Sequence, residues 1–300
     1  MSNVSKVVAT SPSTADLSAT KYSNRSGGSV PTIVNQSDKQ PAVLDVREIW
    51  AYRDLLYFLT WRDIKVRYKQ AAIGAAWAII QPLGMMLIFT VFFGIFIKVP
   101  TEGIPFVLFF YCGLVPWTFF SAAIGAGSVS LLSSSNLVTK VYFPRLIVPM
   151  AAVGALFIDL LITCAILIGL ALYFGITWGW GLLGLPAMIA LTIILAVAFS
   201  IWLAAVTVKY RDIRHALPFA IQLWMFLTPI VYPLSVVHEK WRWIMYLNPL
   251  TGVVEGMRAS LTGRTFNWVA ILFSIVITFV ALPISIRVFQ RIEKTFADVI

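Results

Sequence analysis

Asp159 is the clearest candidate for chemistry in this sequence, because it lies inside a long apolar run, ALFIDLLITC. A charged side chain at the centre of a bilayer costs roughly 2.5–3.5 kcal/mol on insertion scales, so this carboxylate is expected to face protein or water. It could serve as a proton or substrate site, or it could hydrogen-bond to a neighbouring helix or subunit. No second acid and no basic residue share its run, which favours the structural role over a proton-coupled carrier.

Other patterns that carry chemistry are missing from the sequence. The phosphate-binding pattern G-x-x-x-x-G-K-[ST] does not occur. His215 and His238 fall near opposite ends of the predicted spans, so they cannot share a metal ion. Cys112 and Cys164 lie in apolar runs and are interpreted as packing residues. A membrane-embedded transferase would need convergent acids, bases or metal ligands, and the sequence shows no such set. We therefore expect no enzyme, no cofactor and no metal site in this chain.

The composition is that of a membrane protein. Of the 300 residues, 59% are hydrophobic and 12% are charged, whereas soluble domains have about 25% charged residues. About 20 apolar residues in a helix span a bilayer, and the pattern predicts an all-α membrane protein with six transmembrane helices. The apolar runs are approximately 71–97, 105–131, 147–174, 181–208, 216–234 and 267–286.

Lys and Arg residues are distributed unevenly between the two sides of this arrangement. Fourteen lie on the side of both termini and five on the other side, which predicts that both termini are cytoplasmic. The same bias explains the net charge of +10 without a nucleic-acid partner. Residues 71–290 are then the six-span domain, and residues 291–300 are a cytoplasmic C-terminus.

The segment before the first span divides into two parts. Residues 1–44 are rich in Ser, Thr, Asn and Gly, which predicts a disordered cytoplasmic tail. Residues 45–70 predict an amphipathic helix at the membrane interface, because aromatic and basic side chains occupy neighbouring stripes. The alternative is an amphipathic helix packed on protein. A bend over 70–74 would join this helix to the first span. The interface residues are Trp50, Tyr57, Trp61, Arg62, Lys65 and Tyr68.

The connection between the second and third spans, SSSNLVTKVYFPRLIVP, covers residues 133–149. Asn136 can cap a short helix over 137–143, and Pro144 would limit that helix. An exposed short helix with aromatic residues would dock a soluble partner, whereas the alternative is a tight turn between spans. The length of the connection favours docking, because a simple turn needs fewer residues.

The connection between the fifth and sixth spans, about 235–264, contains two short helical patterns separated by Asn248 and Pro249. Neither is long enough to cross a membrane. We expect short re-entrant helices, since irregular backbone at membrane depth must be covered by protein or line a cavity. A cap lying on the outer surface is the alternative. Trp241 and Trp243 belong to the first pattern. Glu255 and Arg258 lie three residues apart on the second and are expected to pair.

Aromatic residues are frequent in the spans. Contacts with lipid and helix packing explain most of them, but an aromatic path would also suit the faces of sugar rings. The channel candidates are Phe89, Phe92, Phe93, Tyr111, Trp117, Phe120, Trp224 and Phe226, together with Asp159.

Six motifs that follow one another in order resemble a known family. They are WRDIKVRYKQAAIGAAWAIIQP at 61–82, YCGLVPWTFF at 111–120, NLVTKVYFPRLIVP at 136–149, KYRDI at 209–213, TPIVYP at 228–233 and NPLTGVVEGMRASL at 248–261. Over about 45–290 the chain resembles the transmembrane permeases of ABC exporters for lipid-linked polysaccharides, which handle O-antigen, capsule and teichoic acid.

The resemblance implies a channel-forming permease in the bacterial cytoplasmic membrane, with O-antigen as the expected cargo. Such permeases form a homodimer and bind two copies of a separate ATPase, which holds ATP and Mg. The glycan passes along spans one, two and five. By motif, the ATPase contacts the amphipathic helix and a docking loop of Asn136, Val138, Thr139, Lys140, Tyr142, Phe143 and Arg145. An ABC permease for drugs or small lipids is the alternative.

Overall fold

The computed structural model describes residues 46–69, 76–176, 179–294 and 296. Every regular element within these ranges is helical and none is a strand, as the composition predicts. The predicted disordered tail over 1–44 and the predicted bend over 70–74 lie outside the described residues. The same holds for residues 295 and 297–300 of the predicted C-terminal segment 291–300.

Twelve α-helices form the described part of the chain, linked by short turns. In chain order they are α1 (Val46–Ala51), α2 (Arg53–Lys69), α3 (Trp77–Phe89), α4 (Phe106–Ser133), α5 (Ser135–Lys140), α6 (Ile147–Gly154), α7 (Phe157–Tyr173), α8 (Gly184–Lys209), α9 (Ile213–Leu227), α10 (Glu239–Tyr246), α11 (Pro249–Thr262) and α12 (Trp268–Glu293). A π-helical segment, Thr90–Phe96, continues α3.

Five helical segments among the described residues are long and apolar enough to cross a membrane. They are Trp77–Phe96, Phe106–Ser133, Ile147–Tyr173, Trp180–Lys209 and Trp268–Glu293. The sixth predicted run, 216–234, contains α9, which has 15 residues and is therefore about 22 Å long at 1.5 Å per residue. This length is short for a hydrocarbon core of about 30 Å, so a count of six spans stays a prediction.

Helix α4 lies at the centre of the bundle and packs against α3, α6, α7, α8, α9 and α11. Most of its side chains are buried. Gly127 lets α4 approach α8 closely, because a Cβ atom there would collide with Ser200. The Ser200 hydroxyl in turn donates to the backbone oxygen of Ala123 at 3.0 Å. Close approach through small residues is typical of helices packed within membranes.

The predicted basic segments meet at one end of the bundle. A compact apolar cluster there includes Leu59 of α2, Phe143, Val208 of α8 and Phe289 of α12. In the chain, these residues neighbour the Lys and Arg residues that the charge distribution assigned to one side of the membrane, which lie within 45–69, 140–145, 209–214 and 287–294. We refer to this end as the basic end, and to the other as the opposite end.

Candidate functional site

A groove of about 590 Å³ lies between α3, α4 and α9. These helices contain the first, second and fifth apolar runs, along which the resemblance expects the glycan to pass. The groove contains polar side chains within a mainly apolar wall. They are Gln81 of α3, Thr118, Ser121 and Ser128 of α4, and Arg214 at the beginning of α9.

The hydroxyl groups in this groove are oriented by their own helix. Thr118 donates to the backbone oxygen of Val115 at 3.2 Å, and Ser121 donates to that of Thr118 at 3.1 Å. Ser128 makes the same bond to Gly125 at 2.8 Å. Each hydroxyl proton is thereby used, while the oxygen keeps acceptor capacity. The Gln81 amide and the Arg214 guanidinium add donors, so the groove can hydrogen-bond a ligand that carries many hydroxyl groups.

The aromatic channel candidates differ in their accessibility. Phe89, Tyr111, Trp117 and Phe120 are buried, Phe93 and Trp224 are partly buried, and Phe92 and Phe226 are exposed. Phe120 makes an edge contact with Trp224 at a ring-centroid distance of 5.1 Å. The buried rings therefore hold helices together within one chain. A channel-lining role stays a prediction. Trp117 lines the groove, whereas Phe92 and Phe226 are exposed but do not line it.

Helix α2 packs one face on protein and exposes the other. Leu59 is buried against α6 and its neighbours at the basic end. On the exposed face, the rings of Tyr57 and Trp61 stack with a centroid distance of 6.5 Å, and the Lys65 ammonium lies 5.6 Å from the Trp61 ring. Trp50 is also exposed, and Arg62 pairs with Asp63 at 2.8 Å. The aromatic and basic face is thus accessible, and its location at the membrane surface stays a prediction.

Two residues at the end of α2 bind Asp159, in the first turn of α7. Arg67 Nη2 lies 3.0 Å from Asp159 Oδ2, and the Tyr68 hydroxyl donates to Oδ1. Burial and this hydrogen bond raise the pKa of Tyr68, which keeps its phenol protonated as a donor. We call these three residues the inner network. Asp159 has the hydrogen-bonded environment that the structural interpretation predicts, and its counter-charge comes from α2 rather than from its own span.

The inner network lies beside the groove. A cavity of about 150 Å³ adjoins Arg67, Tyr68 and Asp159. Three of its wall residues, Gln81, Thr118 and Ala122, also line the groove between α3, α4 and α9. A displacement of α2 at this point would therefore act on residues that shape the groove.

The docking loop differs from its predicted structure. The short helix α5 covers Ser135–Lys140 and has no side-chain cap, so the prediction that Asn136 caps a helix over 137–143 was wrong. The helix begins two residues earlier, at Ser135, and Val141 adopts an extended conformation that ends it. Tyr142 is 91% exposed, whereas Phe143 is 5% exposed.

The prediction that the aromatics of this loop are both exposed was therefore wrong for Phe143, which belongs to the apolar cluster at the basic end together with Val138. Thr139 and Lys140 are exposed. Arg145 donates to the backbone oxygen of Glu293 at 3.0 Å and anchors the end of α12. Contacts of this loop with an ATPase stay predictions, and Tyr142 is its most accessible aromatic residue.

The predicted pair of short helices between the fifth and sixth runs is present as α10 and α11, which meet at Asn248 and Pro249. The side-chain oxygen of Asn248, Oδ1, caps α11 by accepting a hydrogen bond from the backbone amide of Leu250 at 3.1 Å. Its amide nitrogen donates to the Thr228 hydroxyl at 2.9 Å, which ties α11 to the end of α9. Trp241 and Trp243 on α10 are exposed, and α11 is almost entirely buried in protein. The depth of both helices in a membrane stays a prediction.

The predicted pairing of Glu255 with Arg258 is confirmed at 3.0 Å. The buried Arg258 guanidinium also donates to the backbone oxygen of Ile230 at 2.8 Å and lies 3.6 Å from the centroid of the Phe109 ring. Arg258 therefore joins α11 to α4 and to the segment after α9.

A second network at the opposite end surrounds Glu102, in the turn before α4. Its carboxylate accepts hydrogen bonds from the Ser235 hydroxyl and from the Arg264 guanidinium. We call these three residues the outer network. The hydrogen bond from Ser235, followed by that from Arg264, holds the pKa of Glu102 below its ordinary value. One carboxylate thus connects the turns that precede α4, α10 and α12.

The comparisons with known proteins agree with this architecture. Residues 54–262 match the family described as ABC-2 type transporter. This chain belongs to the ABC-2 type transporter family. The match begins in α2 and ends with α11, so it includes the inner network, the groove and the docking loop.

Individual ABC-2 relatives are named for polysaccharide export. The O-antigen export system permease protein RfbA of Myxococcus xanthus is 30% identical over 216 residues, which are 71% of this chain and 82% of that protein. An RfbA protein of Klebsiella pneumoniae is 26% identical and covers 82% of this chain and 95% of its own length. The polysialic acid transport protein KpsM of Escherichia coli is 27% identical, with 78% and 91% covered.

Several residues of the site in this ABC-2 chain were not predicted from the sequence. Arg67 was not among the predicted interface residues, although an acid in an apolar run needs a counter-charge and Arg67 lies next to a span. The polar groove residues were overlooked because single Ser, Thr and Gln residues in apolar runs are common. Glu102 and Arg264 carry opposite charges in two connections assigned to the same side, which was a usable signal for their pairing.

Proposed function

We propose that this chain is the channel-forming permease of an ATP-driven exporter that moves a lipid-linked O-antigen across the bacterial cytoplasmic membrane. The observation that carries the proposal is the groove between α3, α4 and α9, because its hydroxyl, amide and guanidinium groups suit a hydroxyl-rich chain. The names of the ABC-2 relatives support a polysaccharide as the cargo. The chain works as a homodimer with two copies of a soluble ATPase, which binds ATP and Mg.

Helix α2 transmits the movement of the ATPase to the groove. The ATPase contacts α2 and the docking loop at the basic end. The pair of Arg67 with Asp159, at 3.0 Å, connects α2 to α7. Gln81 and Thr118 are shared between the cavity beside this pair and the groove. A shift of α2 therefore displaces the groove wall and admits the glycan, while the buried α4 keeps the bundle in place.

Deletion of the gene in the producing bacterium tests this function. We expect surface polysaccharide to disappear and lipid-linked glycan to accumulate on the cytoplasmic side. The wild-type gene should reverse both changes. Lipid-linked glycan is measured by mass spectrometry of extracted lipids, and surface glycan by antibody or lectin labelling of intact cells. Unchanged surface polysaccharide, with no accumulation of precursor, would contradict the proposal.

Docking of the ATPase is tested at two adjacent aromatic residues. Tyr142→Ala should weaken co-purification of the ATPase while leaving the thermal stability of the permease unchanged, because Tyr142 is exposed. Phe143→Ala should instead lower stability by about 3–5 kcal/mol, since it removes a buried ring. Normal co-purification of the Tyr142→Ala protein would remove this residue from the docking surface.

An ABC permease for small lipids is the second candidate. It is favoured by an apolar cleft of about 420 Å³ between α8 and α12, where Phe199, Trp202 and Val280 contribute to the lining. The gene deletion separates the two candidates, because loss of a small-lipid permease would leave the surface glycan intact.

A further inference from the structure

A polar cavity of about 330 Å³ lies at the opposite end of the bundle. It is bounded by the turn before α4, by α11 and by the turn between α11 and α12. Its volume falls within the range of about 300–1,000 Å³ found for small-molecule sites. The polar side chains of its wall are Glu102, Glu255, Arg258, Arg264, Thr265 and Asn267, and the apolar part includes Ile104 and Phe109.

The charged groups of this cavity balance one another. Glu102 is paired with Arg264 and Glu255 with Arg258. An anionic ligand would meet two carboxylates, and a cationic ligand would meet two guanidinium groups. A hydroxyl group both donates and accepts, so it can bind to either kind of partner. The wall therefore favours an uncharged ligand with several hydroxyl groups.

Two features of this wall are energetically unfavourable in the folded protein. Glu102 has a φ angle of 58°, a left-handed conformation that is unfavourable for a residue with a long side chain. Such conformations are frequent at ligand sites. Arg258 is almost completely buried, and its Nε–H has no hydrogen-bond partner among the described residues. The strained turn keeps one carboxylate at the mouth, and the buried guanidinium forms part of the wall behind it.

We propose that this cavity is a binding subsite for one neutral saccharide unit of the exported glycan. The proposal rests on the proposed function, because that function supplies the hydroxyl-rich ligand. The carboxylates accept from sugar hydroxyls, while Arg264, Thr265 and Asn267 can donate to them. Located at the opposite end from the docking loop, the subsite would hold a sugar unit as it leaves the groove.

Saturation-transfer difference NMR on the full-length permease in lipid nanodiscs tests the subsite. The probes are the methyl glycosides of glucose, galactose, mannose, rhamnose and N-acetylglucosamine, with methyl glucuronide as the charged comparison. We expect transfer to at least one neutral glycoside. The signal should be lost when Gly125→Trp, which fills the groove, is combined with Glu102→Gln, which removes the charge, or with Thr265→Val, which removes a hydroxyl without breaking an ion pair.

Gly125→Trp is the matched control, because it fills the groove and leaves the cavity intact. It should retain the signal. Absence of transfer from every neutral glycoside would overturn the proposal, as would preference for the glucuronide or retention of the signal when Gly125→Trp is combined with Thr265→Val. Export by cells is scored separately. For the wild-type protein, normal export without sugar binding would reject the subsite alone, whereas sugar binding without any export would reject the proposed function.

Discussion

The inner and outer networks have the same composition but different connections. In each, a carboxylate binds one guanidinium group and one hydroxyl group. Asp159 receives both from adjacent residues of a single helix, Arg67 and Tyr68. Glu102 receives its partners from two separate turns, those of Ser235 and Arg264. The Asp159 side chain is 21% exposed and that of Glu102 is 39% exposed, whereas their guanidinium partners show the opposite order, with Arg67 at 46% and Arg264 at 36%.

This difference indicates different mechanical roles. The inner network joins two helices through the less accessible carboxylate, so it can transmit a displacement of α2 to α7. The outer network joins turns through the more solvated carboxylate, and exposed ion pairs contribute little stability. We therefore expect the inner network to act as a rigid connection and the outer network to open at low energetic cost.

Removal of Asp159 should have the largest effect. Asp159→Ala leaves Arg67 and Tyr68 without their shared acceptor, and loss of hydrogen bonds to a charged group should destabilise the fold by about 1.5–3 kcal/mol. Thermal unfolding in detergent measures this loss. Combining Arg67→Asp with Asp159→Arg should restore part of the stability and of export. Wild-type stability of Asp159→Ala would show that the inner network is not a rigid connection.

Loss of a single hydroxyl should lower stability less than loss of Asp159 does, and by different amounts in the two networks. Tyr68→Phe should lower the free energy of unfolding by about 1 kcal/mol, because the bond to Asp159 is partly buried. Ser235→Ala should change it by no more than about 0.5 kcal/mol, as is usual for exposed positions. Denaturant titration of both variants makes the comparison. Equal losses would contradict the assignment of different roles.

The smallest effect is expected from titration of Glu102. Its pKa is lowered from 4.5 in the folded protein, so the ionised carboxylate contributes stability above the unfolded value. That contribution is lost as the pH falls through the folded value. Stability of the wild type should therefore fall slightly more than that of Glu102→Gln below pH 4.5, and the two should run parallel between pH 5 and 8. Thermal unfolding across this range checks the prediction.

Local patterns in the sequence predicted the local parts of the structure. The apolar runs predicted the long helices, and the three-residue spacing of Glu255 and Arg258 predicted their ion pair. Asn248 and Pro249 likewise marked the boundary between α10 and α11. In each of these cases, the residues that interact lie within a few positions of one another.

The inner and outer networks were not predicted, because their partners are far apart in the chain. Tyr68 and Asp159 are 91 residues apart, and Glu102 and Arg264 are 162 residues apart. Accessibility was equally difficult to predict for Phe92 and Phe120, since apolar side chains suit both lipid and protein interiors. Hydrophobicity alone therefore could not show which aromatic residues hold helices together.

The central claim is that the glycan passes along the groove between α3, α4 and α9. Gly125 lines this groove, and Gly169 lies on α7. Apart from the chain neighbours and the nearby backbone of the same helix, a Cβ atom at either position would meet no atom within 4 Å. Surface glycan should be measured in cells that produce equal amounts of Gly125→Trp or Gly169→Trp protein. The account predicts that export stops in Gly125→Trp and continues in Gly169→Trp. Normal export by Gly125→Trp would contradict it.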